Sequence, residues 1–225
     1  MIQLTEVYKE YPRSGLALKN VSLHVKKGEF AFLIGPSGAG KSTVLRLIHM
    51  AERPTDGEVR VSGFSSKRIR RRDIPRLRRR VGVVFQDFRL LRDRTAEENV
   101  TFALEVTGAR RSEIKGKVQR LLANVGLPAR ASAFPDELSG GEQQRIAIAR
   151  ALVHQPAVLL ADEPTGNLDE RAARGVFELI RGINSTGTAV LMATHDLELV
   201  RRYPRYRVIE LADGAVVYDS ADDAA

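Results

Sequence analysis

The chain has 225 residues, 43% hydrophobic and 28% charged, the composition of a folded globular protein rather than a disordered one. It contains no cysteine, which excludes disulfides, thiol catalysis and cysteine-ligated zinc. The formal net charge of +8 resides wholly in the segment Lys67–Arg80, where nine basic residues stand against Asp73, so the basic character belongs to one segment and not to the fold.

The N-terminal stretch Met1–Tyr11 lacks a basic region followed by an apolar run, and no secretory signal is expected. The first strongly apolar run, Phe30–Ile34, is far shorter than the ~20 residues a membrane-spanning helix needs, and it reads as a buried strand. It leads into Gly35-Pro36-Ser37-Gly38-Ala39-Gly40-Lys41-Ser42, which fills the pattern G-x-x-x-x-G-K-[ST] between a strand and the helical run Thr43–Ile48. Glycines there let the backbone curl round phosphate oxygens and aim its N–H groups at them, while the following helix start adds its positive dipole end. Lys41 is placed to reach the β and γ phosphates of a nucleotide, and the Ser42 hydroxyl to ligate Mg²⁺.

The basic segment Lys67–Arg80 follows. Pro75 is expected to break any continuous helix through it, and Ile69, Ile74 and Leu77 look too sparse for a deep apolar face. A solvated charged surface is the first reading and contact with anionic lipid the second. Nucleic acid is not expected as a partner, because no aromatic residue is interleaved with the basic ones between Ser65 and Val84.

A second strand, Val81–Phe85, ends at Gln86. From about Asp87 to Gln155 the pattern turns helical, with Ile114, Val118, Leu121, Leu122 and Val125 at helical spacing and Ile146–Val153 apolar again. Within it, Leu138-Ser139-Gly140-Gly141-Glu142 sets a hydroxyl and two glycine N–H groups at a helix start, which is a second anion-binding arrangement in the same chain. Ala157–Ala161 reads as a third strand, delivering Asp162 and Glu163 to the sheet edge. Asp162 suits a partner of Mg²⁺ through its water shell, and Glu163 a general base for the attacking water. The strand Ala189–Ala193 runs into Thr194, His195 and Asp196, and Tyr206–Leu211 with Ala215–Tyr218 flanks the hairpin turn Asp213-Gly214. These strands suit a parallel α/β sheet, whose ligands gather beyond the carboxyl ends. His24, His49 and His154 carry no such context and read as structural.

These motifs in this order resemble the ATP-binding cassette family from about residue 2 to 218. The resemblance implies a P-loop NTPase, RecA-like α/β core with a mainly parallel sheet, an N-terminal β subdomain and an inserted α-helical subdomain. The single cassette domain would then comprise a core of about 1–86 and 156–225 and a helical subdomain of about 87–155. It also implies roles. Tyr11 would stack on adenine, with Tyr8 close enough to compete. Gly35 through Thr43 would hold the phosphates, Gln86 would sense Mg²⁺ and the attacking water, Asp169 would lie in the D-loop, and His195 would contact the γ-phosphate. Two copies would pair head to tail, Ser139, Gly140 and Gly141 of one covering the nucleotide of the other.

The tract Ala161–Asp169, with Val83–Leu91, Arg94, Thr95 and Glu98–Val100, resembles the lipoprotein-release, macrolide-export and cell-division branch. An ATPase homodimer at the cytoplasmic face of the cell membrane, driving a separate polytopic membrane partner in cell division, is therefore expected. Driving an export or lipoprotein-release permease is the alternative. A soluble cassette protein of DNA repair or translation fits less well, because the chain carries one set of motifs and no long inserted coiled coil.

Overall fold

In the computed structural model, which describes residues 1–222, the apolar runs form one six-stranded sheet and the N-terminal segment forms a second sheet of four strands. The last three residues of the expected core segment, 223–225, lie outside the described residues.

The four-stranded sheet is antiparallel, in the order β2-β1-β4-β5, from β1 (Ile2–Tyr11), β2 (Gly15–Val25), β4 (Asp56–Val61) and β5 (Phe64–Ser65). The larger sheet has the order β10-β9-β3-β8-β7-β6. Its strands are β3 (Phe30–Ile34), β6 (Val81–Val84), β7 (Val158–Asp162), β8 (Ala189–Ala193), β9 (Arg207–Ala212) and β10 (Ala215–Asp219). Only the β9–β10 hairpin is antiparallel; the other neighbours run parallel. All five residues of β3 and of β8 are buried, as parallel strands covered on both faces require.

Helices flank this sheet: α1 (Lys41–Ile48), α2 (Ile74–Arg78), α3 (Ala96–Glu105), α4 (Arg111–Asn124), α5 (Gly140–Ala151), α6 (Glu170–Ser185) and α7 (Leu197–Arg202). Between β6 and β7 the chain makes no strand. There α3, α4 and α5 pack on one another through Val100, Leu104, Val118, Leu122 and Ile146, in the same apolar cluster as Phe32 and Phe177 of the sheet and α6. α3 begins with a capping box: the Thr95 side chain accepts from the Glu98 N–H, and the Glu98 carboxylate accepts from the Thr95 N–H at 2.8 Å. No helix among the described residues is long and apolar enough to cross a membrane.

As expected, no continuous helix runs through the basic segment: a 3₁₀ turn at Arg71–Asp73 gives way to the short α2, with Pro75 in its first turn, where its missing N–H would have had no intrahelical partner. Ile69 and Leu77, however, suffice as anchors: both are buried in the cluster beneath the antiparallel sheet, with Ile74 packed against it. Arg78 donates to the carbonyls of His49 and Met50, and Arg79 to that of Thr107, so part of the charge is spent on backbone contacts.

Candidate nucleotide site

The loop after β3 takes its shape from two glycines that no other residue could replace. Gly35 has φ 141°, and a Cβ there would lie 2.1 Å from the carbonyl oxygen of Leu211. Gly40 has φ 104°, and a Cβ would meet the Leu18 side chain at 2.6 Å and the Ala17 carbonyl at 3.0 Å. Gly40 is also the residue from which α1 starts, so the loop ends on the unpaired N–H groups of a helix N-terminus. Lys41, in the first turn, is buried; its ammonium donates to the carbonyls of Gly35 (2.7 Å) and Pro36 (3.2 Å) and lies 3.9 Å from Glu163 Oε1.

The ends of three neighbouring strands supply the facing groups. The Ser42 hydroxyl donates to Asp162 Oδ1 at 3.1 Å, an all-oxygen pair suited to a hard divalent cation that also binds phosphate and water. Burial pushes the Asp162 carboxyl above its ordinary range, the adjacent Glu163 charge adds to this, and the Ser42 hydrogen bond opposes both. Glu163 sits in the left-handed region at φ 47°, held by its N–H to the Ala193 carbonyl at 3.0 Å. Its Oε2 accepts from the His195 N–H at 3.2 Å and lies 3.0 Å from His195 Nδ1. The carboxylate therefore stands between the Lys41 ammonium and His195. Gln86 is tied to Asn167 in both directions: Gln86 Nε2 donates to Asn167 Oδ1, and Asn167 Nδ2 to the Gln86 carbonyl, each at 3.2 Å.

Ser37 through Thr43, Gln86, Glu163 and His195 line one cavity of about 550 Å³, together with Ala17, which sequence reasoning passed over. Tyr11 is not in this lining; it ends β1, and the Lys9 ammonium lies 4.9 Å from its ring centroid. Asp169 caps α6 by accepting from the Ala172 N–H at 2.8 Å.

The second helix start stands outside this cavity. Ser139 is the N-cap of α5: its hydroxyl accepts from the Glu142 N–H and donates to Glu142 Oε2 at 2.8 Å, while its own N–H donates to the same oxygen at 2.9 Å. These bonds, with Arg130 alongside, hold the Glu142 carboxyl below its usual range. Further along α5 two polar side chains with no marked motif reach across to the strand ends. Gln144 donates to the carbonyls of Phe85 and Pro164, and Arg150 to those of Phe88 and Arg89. Gln144 had one signal in the sequence: it lies four residues before Ile148, on the face that points inward.

Comparison with known proteins adds to this geometry. The family described as ABC transporter matches residues 18–166. The chain is 54% identical over 220 residues to the cell division ATP-binding protein FtsE of Mycobacterium tuberculosis, covering 97% of this chain and 95% of that protein. It is 49% identical over 214 residues to FtsE of Escherichia coli K12, covering 95% and 96%. Among solved structures it is similar to the dimeric ATP-binding cassette MJ0796 in a post-hydrolysis state bound to ADP and Pi, with a TM-score of 0.86, 36% identity and 97% coverage of both chains. With a family match over most of the chain and relatives about half identical over nearly its whole length, the chain belongs to the ABC transporter family of ATPases, alongside the FtsE proteins.

Proposed function

We propose that the chain acts as an ATP-closed homodimer on the cytoplasmic face of the cell membrane. There it drives a polytopic membrane partner of the FtsX type during cell division and so regulates septal peptidoglycan hydrolysis. The name borne by its full-length relatives, cell division ATP-binding protein, supports the cellular role. The observation that carries the dimer is the position of Ser139: it caps a helix outside the cavity formed by the phosphate loop of its own chain. A second copy, related head to tail, would set that helix start over the nucleotide.

In this reading residues 87–155 form the helical subdomain inserted into the core. Tyr11 supplies the stacking face for adenine, Gly35 through Thr43 surround the phosphates, and Lys41 turns its ammonium from the loop carbonyls to the β and γ phosphates. Ser42, by its hydroxyl, Asp162, by its carboxylate, and Gln86, by its amide, would hold Mg²⁺, which when bound would supply charge neutralisation at the phosphates. Glu163 accepts a proton from the attacking water, and His195, which shares the Glu163 carboxylate, turns its ring to the γ-phosphate. Ser139, Gly140 and Gly141 of the partner complete the site, and Asp169 lies beside the junction.

The test combines two lesions. Ser139→Arg should leave the chain's own ATP site filled, at a loss of about 1 kcal/mol from the missing helix cap, but block ATP-driven pairing. Lys41→Ala should abolish nucleotide binding. Mixed, they regenerate one intact site, from the Lys41 of the first chain and the Ser139 of the second, and pairing on ATP should return in sedimentation. Two folded variants that fail to pair in the mixture would refute the composite site.

A further inference from the structure

Gln144 lies in the second turn of α5, and none of its surface reaches solvent. Its Nε2 donates to the Pro164 carbonyl at 2.7 Å and to the Phe85 carbonyl at 3.2 Å. Phe85 immediately precedes Gln86, and Pro164 immediately follows Glu163. One amide thus ties together α5, the end of β6 and the end of β7. The orientation is fixed by chemistry: flipped, the amide oxygen would oppose two carbonyl oxygens. The remaining oxygen, Oε1, is buried and receives no hydrogen bond. Methionine of similar length would fill the same space but leave the Phe85 and Pro164 carbonyls without this donor, so the amide serves the two backbone segments it ties and not packing volume alone.

The same helix begins at Ser139, five residues earlier, or about 7.5 Å along the axis. Its first turn is stiffened by the Ser139–Glu142 box, so a displacement at Ser139 carries Gln144 with it. We propose that Gln144 is a positioning residue that couples the two nucleotide sites of the dimer: when Ser139 meets the nucleotide held by the partner subunit, the Gln144 amide passes the shift of α5 to the backbone carrying Gln86 and Glu163 of its own site. The proposal rests on the composite-site reading. No atom of Gln144 touches the reacting groups; it acts through the two backbone segments it holds.

The test uses the full-length chain with Gln144→Met, and Gln144→Glu as a second variant of like volume that turns carboxylate oxygens towards the two carbonyls. Melting curves establish that each folds. ATP affinity by calorimetry should be unchanged, because Gln144 does not line the cavity. The kcat should fall by about tenfold to a hundredfold from misplacement of the catalytic groups. The Hill coefficient for ATP should fall from near 2, the ceiling for two coupled sites, to about 1. A purely structural role would lower stability and leave the Hill coefficient intact, and that result overturns the proposal. Hydrogen exchange on the wild type gives a check free of substitutions: on adding ATP, amides of residues 85–87, 165 and 166 should slow together with those at the start of α5. Slowing of α5 alone overturns the proposal as well. If the wild type itself does not pair on ATP, the composite site fails. If it pairs and hydrolyses cooperatively while Gln144→Met retains cooperativity, only the relay fails.

Discussion

Glu163 occupies a left-handed backbone position that sets one carboxylate against both a buried ammonium and a histidine. Glu163→Gln keeps the shape and removes the charge and the proton acceptor. Hydrolysis should fall by about 10²-fold or more while Mg·ATP still binds and the dimer persists, as read from phosphate release and sedimentation. Wild-type turnover would remove Glu163 from the base position. Its approach to Lys41 is legible in the sequence, because each residue follows an apolar run that ends at the same edge of a parallel sheet. Gln144 and Arg150 are not legible in this way. They act on backbone carbonyls of segments about 60 residues away in the chain for Phe85, Phe88 and Arg89; helical spacing marks Gln144 as inward-facing but names none of these partners. The residue type of Tyr11 and its place in the chain suit an adenine stack, whereas the approach of the Lys9 ammonium to 4.9 Å from its ring centroid could not be read from the sequence.

Among the elements, α5 does more than begin at the capping Ser139. Phe88 and Arg89 both have positive φ, 55° and 50°, a costly conformation for two consecutive residues with side chains. Arg150 donates to both of their carbonyls, and the Arg89 guanidinium lies 3.8 Å from the Phe85 ring centroid. Replacing Arg150 by Met should therefore release this turn, lowering stability by about 2 kcal/mol in urea unfolding. New protease cleavage should appear between Asp87 and Leu91. An unchanged cleavage pattern would show that the turn holds without the clamp. The N-terminal strands were hidden from a reading of the residues alone because alternation fails within them. In β1 the register shifts between Leu4 and Val7, with Glu6 at φ 48°, and in β2 Asn20 has φ 53°, so the buried positions fall out of step. The central strands escaped this problem. Buried on both faces, they appear as unbroken apolar runs.

At the scale of the molecule, one side chain joins the two sheets. Arg207 on β9 bonds Asp219 on β10 through Nε (2.7 Å) and a terminal nitrogen (2.5 Å), the His24 carbonyl at 2.5 Å on β2, and Glu29 at 3.2 Å before β3. Both members of the Arg207–Asp219 pair are nearly inaccessible, so Arg207→Ala, which strands the carboxylate, should cost about 3 kcal/mol in urea unfolding. Burial alone would raise the Asp219 carboxyl, but the Arg207 hydrogen bonds outweigh it and hold the group below its ordinary value of 3.8. A depressed carboxyl stabilises the fold above its unfolded value and loses that contribution as pH falls through the folded value. The difference between wild type and Arg207→Ala should thus be constant from pH 7 to about 5 and narrow below about pH 4. A difference that stays constant down to pH 2 would mean that the pair contributes packing and no charge.

The pairing of β3 with β9 also sets a timetable for synthesis. Residues 30–34 emerge early, yet one flank of β3 is covered only by residues 207–212, so this strand keeps an open edge until the ribosome has made β9, about 170 residues later. Gly35 is pressed against the carbonyl of Leu211, which places the final shape of the phosphate loop under the same delay. An early-made motif is thus finished late. A nascent or prematurely terminated chain that stops before β9 would carry the complete loop sequence without the strand that seats it, exposing an apolar edge while unable to grip nucleotide.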